Sequence, residues 1–272
     1  MVNDIMSQLP DSICDEAPGT INRLLIINRD KPPFNNPELR RAMSLSIDRH
    51  AFIDIVAQGK GEIGGVLQSP PGGLWGLPPD QLTQLPGYAP DVAKNRTPAR
   101  QIMEKLGYRP DNHLKIEVSA SDIRFYKDPP VVLIDQLKEI YIDGELEAID
   151  STRYYPKIMR QEYTVGLNLH TSGPDPDPIL DLFYGCGSSL NWDGYCNKEV
   201  DQLIGQQSME ADPARRKQIL WQIEHKLAKE DVRPIVFYAD RGYCLRPWVK
   251  NEMVNSNSIF NGARREDVWL DK

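Results

Sequence analysis

Residues 114–118, Leu-Lys-Ile-Glu-Val, set Leu114, Ile116 and Val118 at period two, the spacing of a strand with one buried face. The stretch that follows repeats the theme. Val131 to Tyr141 (Val-Val-Leu-Ile-Asp-Gln-Leu-Lys-Glu-Ile-Tyr) is apolar at helical spacing, and Leu146, Ala148 and Asp150 suggest a second strand. Ser151 or Thr152 is placed to cap a helix carrying Tyr155, Ile158 and Met159, and Val165, Leu167 and Leu169 give a third strand. Strands alternating with helices imply a mixed or parallel sheet covered by helices, hence an α/β domain.

Helical patterns lie on either side of this run. Ile21 to Asn28 reads as a buried strand that Pro32-Pro33 ends. Asn36 then stands as an N-cap with Pro37 at the first helical position, ahead of the stripe Leu39, Ala42, Met43 and Ile47. Asp48 caps a second helix burying Phe52, Ile53 and Val56, and Gly59 follows its end. Residues 60–90, rich in Gly and Pro around Trp75, show no sustained period and read as loop. Thr97-Pro98 is expected to open a helix striped by Ala99, Ile102, Met103 and Leu106. Toward the C-terminus, Asn197 caps a helix bearing Val200, Leu203 and Ile204, and Asp212-Pro213 starts one bearing Ile219, Leu220, Ile223 and Leu227. Pro234 to Ala239 is a final strand.

Composition narrows the function classes. The 272 residues carry 39 acidic against 32 basic side chains, a net charge of -7. Binding to a phosphate backbone leaves a basic footprint, so nucleic acid and anionic membrane are poor partners. No apolar run is long enough for a transmembrane helix. Met1 is followed by Val-Asn-Asp, without the basic and apolar regions of a signal peptide; the chain is therefore expected either to be cytosolic or to start downstream of a natural N-terminus.

Motifs with chemistry are few. Gly59-Lys-Gly61-Glu-Ile-Gly64 matches the dinucleotide fingerprint in letters. A predicted helix precedes it, whereas phosphate binding needs a strand before and a helix after, so it reads as a helix end and a turn. His50, His113, His170 and His225 are isolated, with no metalloprotease or nucleophile-elbow pattern around them, so no catalytic residues and no metal site are expected. Cys186 and Cys196 flank a short turn-rich segment and are expected to form a disulfide in an oxidising compartment. Cys14 and Cys244 lie in the two end segments, and their pairing is left open. The most distinctive polar stretch is Thr171-Ser172-Gly-Pro-Asp175-Pro-Asp177-Pro178. Asp177 before proline fits an N-cap. Asp175 has no evident structural task, which makes it the better candidate for a ligand. A calcium site using Asp175, Asp177 and Asp181 lacks the EF-hand spacing.

Together these segments resemble a known family. Pro32-Pro33-Phe34, Arg40-Arg-Ala42 and Ser46-Ile-Asp48-Arg49 are similar to the opening signature of the family 5 extracellular solute-binding proteins, receptors of oligopeptide and dipeptide ABC importers. Ala99 to Tyr108, Gln136-Leu-Lys-Glu-Ile, Asp177-Pro178 and Tyr195-Cys-Asn197-Lys-Glu-Val200-Asp201-Gln-Leu-Ile resemble further family segments in the same order.

The resemblance implies a periplasmic receptor, not an enzyme, with no cofactor. Its fold would be a lobe of the type II periplasmic-binding-protein kind, a mixed sheet flanked by helices. Residues 31–233 would form the second ligand-binding lobe. Residues 1–30 and 234–272 would belong to an incomplete first lobe and bury little against the rest. The partners implied are a small-molecule or peptide ligand, the importer's permease and the N-terminal lobe of the same protein. Peptide-binding members hold the ligand's α-amino group with an Asp at the end of a Trp-containing segment. The matching stretch here, 171–177, has no Trp, and Asp175 matches that Asp with a one-residue shift, so other solutes of the family stay open. Thr171, Ser172, Asp175 and Asp177 are the expected ligand-binding residues, with Trp75 and Trp192 as apolar walls. The rival reading is a self-standing α/β hydrolase or transferase with a dispersed active site.

Overall fold

The computed structural model describes residues 2–171, 173–252 and 265–271. In chain order the elements are α1 (Val2–Gln8), β1 (Ile13–Ile27), α2 (Pro37–Ser46), α3 (Arg49–Ala57), β2 (Gly61–Glu62), α4 (Pro79–Leu82), α5 (Val92–Lys105), β3 (Leu114–Ser121), α6 (Arg124–Lys138), β4 (Ile142–Ile149), α7 (Ser151–Met159), β5 (Val165–Thr171), α8 (Asp177–Tyr184), α9 (Lys198–Met209), α10 (Pro213–Lys229), β6 (Ile235–Leu245), β7 (Val249–Lys250) and β8 (Trp269–Leu270). Among the described residues the main sheet has the order β2-β6-β1-β5-β3-β4. β3 runs parallel to β4 and β5, whereas β1 is antiparallel to β5 and β6. The sheet is therefore mixed, as the alternation of strand and helix implied.

Its two faces bury different partners, because side chains alternate along each strand. Leu25 and Ile27 of β1 join Leu114, Ile116 and Val118 of β3 against Leu39 and Met43 of α2, Phe52 of α3 and Leu133 and Leu137 of α6. Leu24 and Ile26 face the other way, onto Tyr154 and Ile158 of α7 with Tyr163 and Trp192. A separate cluster packs α8, α9 and α10 together through Leu180, Val200, Leu203, Leu220, Ile223 and Leu227.

Caps explain most helix starts. Asn36, Asp48, Asn197 and Asp212 each accept a backbone N–H of the helix that follows, as their positions predicted. Four starts differ from expectation. In α8, Pro176 and not Asp177 is the N-cap. α5 begins after Asp91, whose side chain accepts from Lys94 N at 3.0 Å, so Pro98 lies inside the helix. α6 begins at Arg124 and contains both Pro129 and Pro130, which are buried. α7 is capped by Asp150, which accepts from Thr152 N at 2.9 Å, and not by Ser151 or Thr152. Proline inside a helix removes one hydrogen bond a turn back; packing on the sheet outweighs that loss in α6. The 60–90 loop also contains β2 and α4, and Gly61 lies in β2 rather than in a phosphate-binding turn.

The end segments depart furthest from expectation. Residues 24–27 of β1 are 0–4% exposed, and Ile235 to Tyr238 of β6 are 0–1% exposed. These inner halves lie in the middle of the sheet, so boundaries at 30/31 and 233/234 cut through one core. The reason is strand length: only Ile21–Ile27 pair with β5, whereas Ile13–Ala17 and Arg241–Leu245 pair with each other alone, as a two-stranded ribbon. Cys14 and Cys244 are directly opposed in that ribbon and form a disulfide. Cys186 and Cys196 form the second disulfide, as their spacing suggested.

Candidate ligand site

β5 ends at Thr171, opposite Ile21 of β1, and the chain then turns through Gly173, Pro174, Asp175 and Pro176 into α8. Ser172 lies outside the described residues. Two other segments meet this turn. The indole Nε1 of Trp75 donates to the Pro174 carbonyl at 3.1 Å. Arg216 of α10 donates to both oxygens of Asp175, at 2.8 and 2.7 Å, and its guanidinium lies 4.9 Å over the Trp75 ring. The pairing holds the Asp175 carboxyl below its usual range, with the Arg216 hydrogen bonds as the leading cause.

This arrangement corrects the expectation that Asp175 is structurally idle. Its Oδ1 also accepts from Asp177 N at 2.9 Å, bracing the first turn of α8. Asp177 is not the N-cap; Pro176 occupies that position. The Asp177 carboxylate instead accepts from Gln207 Nε2, and Gln207 Oε1 accepts from Arg216 Nε at 3.1 Å. Asp175 and Asp177 thus face nitrogen donors.

Trp75 is held from behind. Trp221 Nε1 of α10 donates to the carbonyls of Trp75 and Gly76, at 3.0 and 3.1 Å. Glu224, one turn along α10, is fully buried and accepts from the backbone N–H of Leu67 at 3.1 Å and of Leu77 at 3.1 Å. One carboxylate therefore ties both ends of the segment that carries Trp75. Burial pushes Glu224 up to about 8, against the two N–H groups, which favour the charged form.

Between the 67–75 segment and the turn after β5 lies a cleft of about 240 Å³, lined among others by Thr20, Gln68, Trp75, Pro174 and Pro176. Thr20 and Gln68 carry no sequence signal for such a role. The glycines near them do: a Cβ on Gly72 would stand 2.2 Å from Gln68 Nε2 and one on Gly73 would stand 2.2 Å from the Gln68 carbonyl, so the loop closes over Gln68 only without side chains there.

Trp192 is elsewhere. It is 8% exposed and packs on Tyr155 and Phe183, with ring centroids 6.0 Å away in each case. Beside it the buried pair Arg233–Asp193 meets at 2.8 Å. The cleft thus gathers Trp75 with Gly173, Pro174 and Pro176 of the turn; Thr171, Asp175 and Asp177 stand beside it without lining it, and Trp192 lies in the core.

A family model described as "Bacterial extracellular solute-binding proteins, family 5 Middle" matches residues 3–191. The chain belongs to this family of solute-binding proteins. Among curated relatives, the oligopeptide-binding protein OppA of Bacillus subtilis is 28% identical over 83% of the chain and 40% of its own length. The dipeptide-binding protein DppE of the same organism is 26% identical over 90% of the chain and 44% of its own length. The chain therefore spans less than half the length of these two family 5 relatives. Among solved structures, Haemophilus influenzae OppA in complex with RPPGFSPFR superposes with a TM-score of 0.80 at 20% identity, covering 99% of this chain and 52% of that one. The substrate-binding protein CtaP of Listeria monocytogenes gives 0.81 at 20% identity, covering 99% and 54%. These likenesses show that the chain shares the fold of these binding proteins. Among the described residues no helix is long and apolar enough to cross a membrane.

Proposed function

We propose that this family 5 chain is the C-terminal part of a receptor that captures a peptide or peptide-like solute outside the cytoplasm and delivers it to an ABC importer. The single observation that carries this reading is the cleft between the Trp75 segment and the turn after β5. It lies at the carboxyl end of a sheet strand, where ligands of α/β proteins sit, and its walls are held by the Asp175–Arg216 and Glu224 contacts. The B. subtilis relatives' names, oligopeptide- and dipeptide-binding, support the substrate class. The Asp175 charge is already met by Arg216, so its part in binding is to hold the turn and Trp75 in place. Thr171 and Asp177 flank the same turn.

In this reading the β1–β6 ribbon leads toward an N-terminal lobe of the same protein. A ligand bridging both lobes stabilises a closed form, and the permease recognises that form. The test is titration of the full natural chain with a library of short peptides, with mass spectrometry of any ligand that co-purifies. Saturable binding with the peptide recovered intact is the expected result. Chemical conversion of the peptide, or no binding by any peptide, overturns the reading.

A further inference from the structure

Arg23 of β1 is a buried cation without a counter-charge. It is 2% exposed, yet no carboxylate acts on it among the described residues; the one titratable neighbour that does is the Tyr126 phenol. Among those residues its one hydrogen bond runs from Nη1 to the carbonyl of Asn22, its own neighbour, at a long 3.5 Å. The guanidinium otherwise meets rings, 3.9 Å over Phe125 and 5.8 Å from Phe237. Burial lowers its pKa to about 10, so it stays charged at neutral pH at a cost in free energy that no anion of the described residues offsets. It is also within reach. Nε is sealed, but Nη2, likewise unpaired among the described residues, is not. Its cover is the Phe125 ring, itself 46% exposed, and exposed side chains change rotamer within nanoseconds.

Phe125 is the second residue of α6, so the guanidinium stands at the first turn of that helix. α6 starts without a side-chain cap at Ile123. The N–H groups of Tyr126 and Lys127 donate back to the Ile123 carbonyl, whereas those of Arg124 and Phe125 have no acceptor among the described residues. Such a terminus favours negative charge. The carboxylates beside the turn already have cations: Asp122 meets Lys127 at 2.6 Å and Asp128 meets Arg124 at 3.4 Å. Arg23 pairs with Leu169 near the end of β5, and α6 follows the end of β3. Both features therefore stand at the carboxyl ends of parallel strands, where ligands of α/β proteins sit. Thr20, three residues earlier in β1, lines the Trp75 cleft; the step is roughly 10 Å, which an extended tripeptide spans.

We propose that Arg23 and the uncapped first turn of α6 form an anion subsite that takes a carboxylate of the ligand. Asp175 is already matched by Arg216, so this chain selects an acid of the ligand and not its amine. The subsite rests on the peptide-capture reading and names the charged group that the peptide must present.

The experiment titrates the full natural chain with random tripeptide pools that lack Asp and Glu, prepared with a free or an amidated C-terminus and a free or an acetylated N-terminus. A further amidated pool carries Glu at each position in turn. The acid-free amidated pool should bind at least about tenfold more weakly than the free-acid pool or the Glu pool, the scale of a lost charged hydrogen bond. Whichever acid restores affinity names the source of the carboxylate. Acetylation should leave affinity unchanged. Arg23→Met removes the charge and keeps an unbranched apolar chain. It should erase the difference between the pools and leave the unliganded protein at least as stable in thermal melts, because a lone buried cation opposes folding. Equal affinity for acid-free and acid-bearing pools, a loss on acetylation instead of amidation, or a large loss of stability in Arg23→Met overturns the subsite while peptide capture stands. Failure of every pool to bind overturns the capture reading and the subsite with it.

Discussion

Asp175 and Arg216, 41 residues apart in sequence, face each other through two parallel hydrogen bonds of 2.7 and 2.8 Å. The same guanidinium lies over Trp75 and bonds Gln207, which in turn bonds Asp177. One cation thus joins the turn after β5, α9, α10 and the Trp75 segment.

Asp175→Asn is expected to cost about 1 kcal/mol, since half of the Asp175 side chain is exposed and solvent screens the pair. Arg216→Lys should cost a similar amount, because an ammonium cannot make both bonds at once. A double-mutant cycle by urea unfolding should give a positive coupling, and additive losses would mean that the two residues do not act together. Asp175 titrates below its usual range in the fold, so its contribution is present at neutral pH and fades as pH falls through the low carboxylate range.

Arg233 and Asp193 form a different kind of pair, each side chain 2% exposed. Tyr163 Oη donates to Asp193 Oδ1 at 3.1 Å and Arg233 Nη2 donates to the Leu190 carbonyl at 2.7 Å. Arg233→Met leaves a buried carboxylate uncompensated and should cost about 3–5 kcal/mol. Adding Asp193→Asn should recover part of that loss. Equilibrium unfolding of the two variants measures both; a single variant as stable as the parent would contradict the account.

Stability should change with pH in two opposed windows. Glu224 titrates at about 8 in the fold because burial penalises its charge. The folded state therefore holds a proton that the unfolded chain releases, and stability falls as pH rises from the ordinary carboxylate range to about 8. Asp231, raised by burial to about 6, adds to this slope at its lower end. His170 acts oppositely. Burial lowers it to about 4, with Arg233 nearby as the second cause, so its contribution is present above the ordinary histidine range and lost as pH falls toward 4. Glu224→Gln should flatten the slope above pH 6. It should also cost about 1–3 kcal/mol near pH 5, because its amide N–H group must face one of the backbone N–H groups of Leu67 and Leu77. Thermal melts between pH 4 and 9 read both effects, and an unchanged slope in the variant would assign the pH dependence elsewhere.

The two disulfides should differ in worth. Cys186–Cys196 closes a separation of 10 residues and Cys14–Cys244 one of 230. In the chain-entropy model the first stabilises by roughly 3 kcal/mol and the second by roughly 5 kcal/mol. Replacing each pair by serines and comparing midpoints in urea tests the order. A smaller loss for the Cys14–Cys244 pair would show that the unfolded chain is already constrained, or that only the ribbon frays.

Local rules in the sequence determined much of this protein. Period-two strands at 114–118 and 165–169, the caps Asn36, Asp48, Asn197 and Asp212, and the apolar stripes of α2, α3, α9 and α10 all depend on residues a few positions apart. The Cys186–Cys196 bridge is legible for the same reason. Where a local signal competed with packing, the tertiary structure decided. Pro98 read as a helix start and the later helical stripe as beginning at Val131, yet α5 and α6 run through Pro98, Pro129 and Pro130, because apolar faces buried on neighbouring elements outweigh the lost hydrogen bonds. The end segments read as outsiders, yet Leu24–Ile27 and Ile235–Tyr238 lie at the centre of the sheet. The candidate site shows the same division. Trp75 and Asp175 stand out in the sequence, whereas Thr20, Gln68, Arg216 and Glu224 do not, since their roles arise only from contacts such as the 147 residues that separate Leu77 from Glu224. A side chain's partner across the fold is set by the packing of whole elements, and no spacing along the chain encodes it.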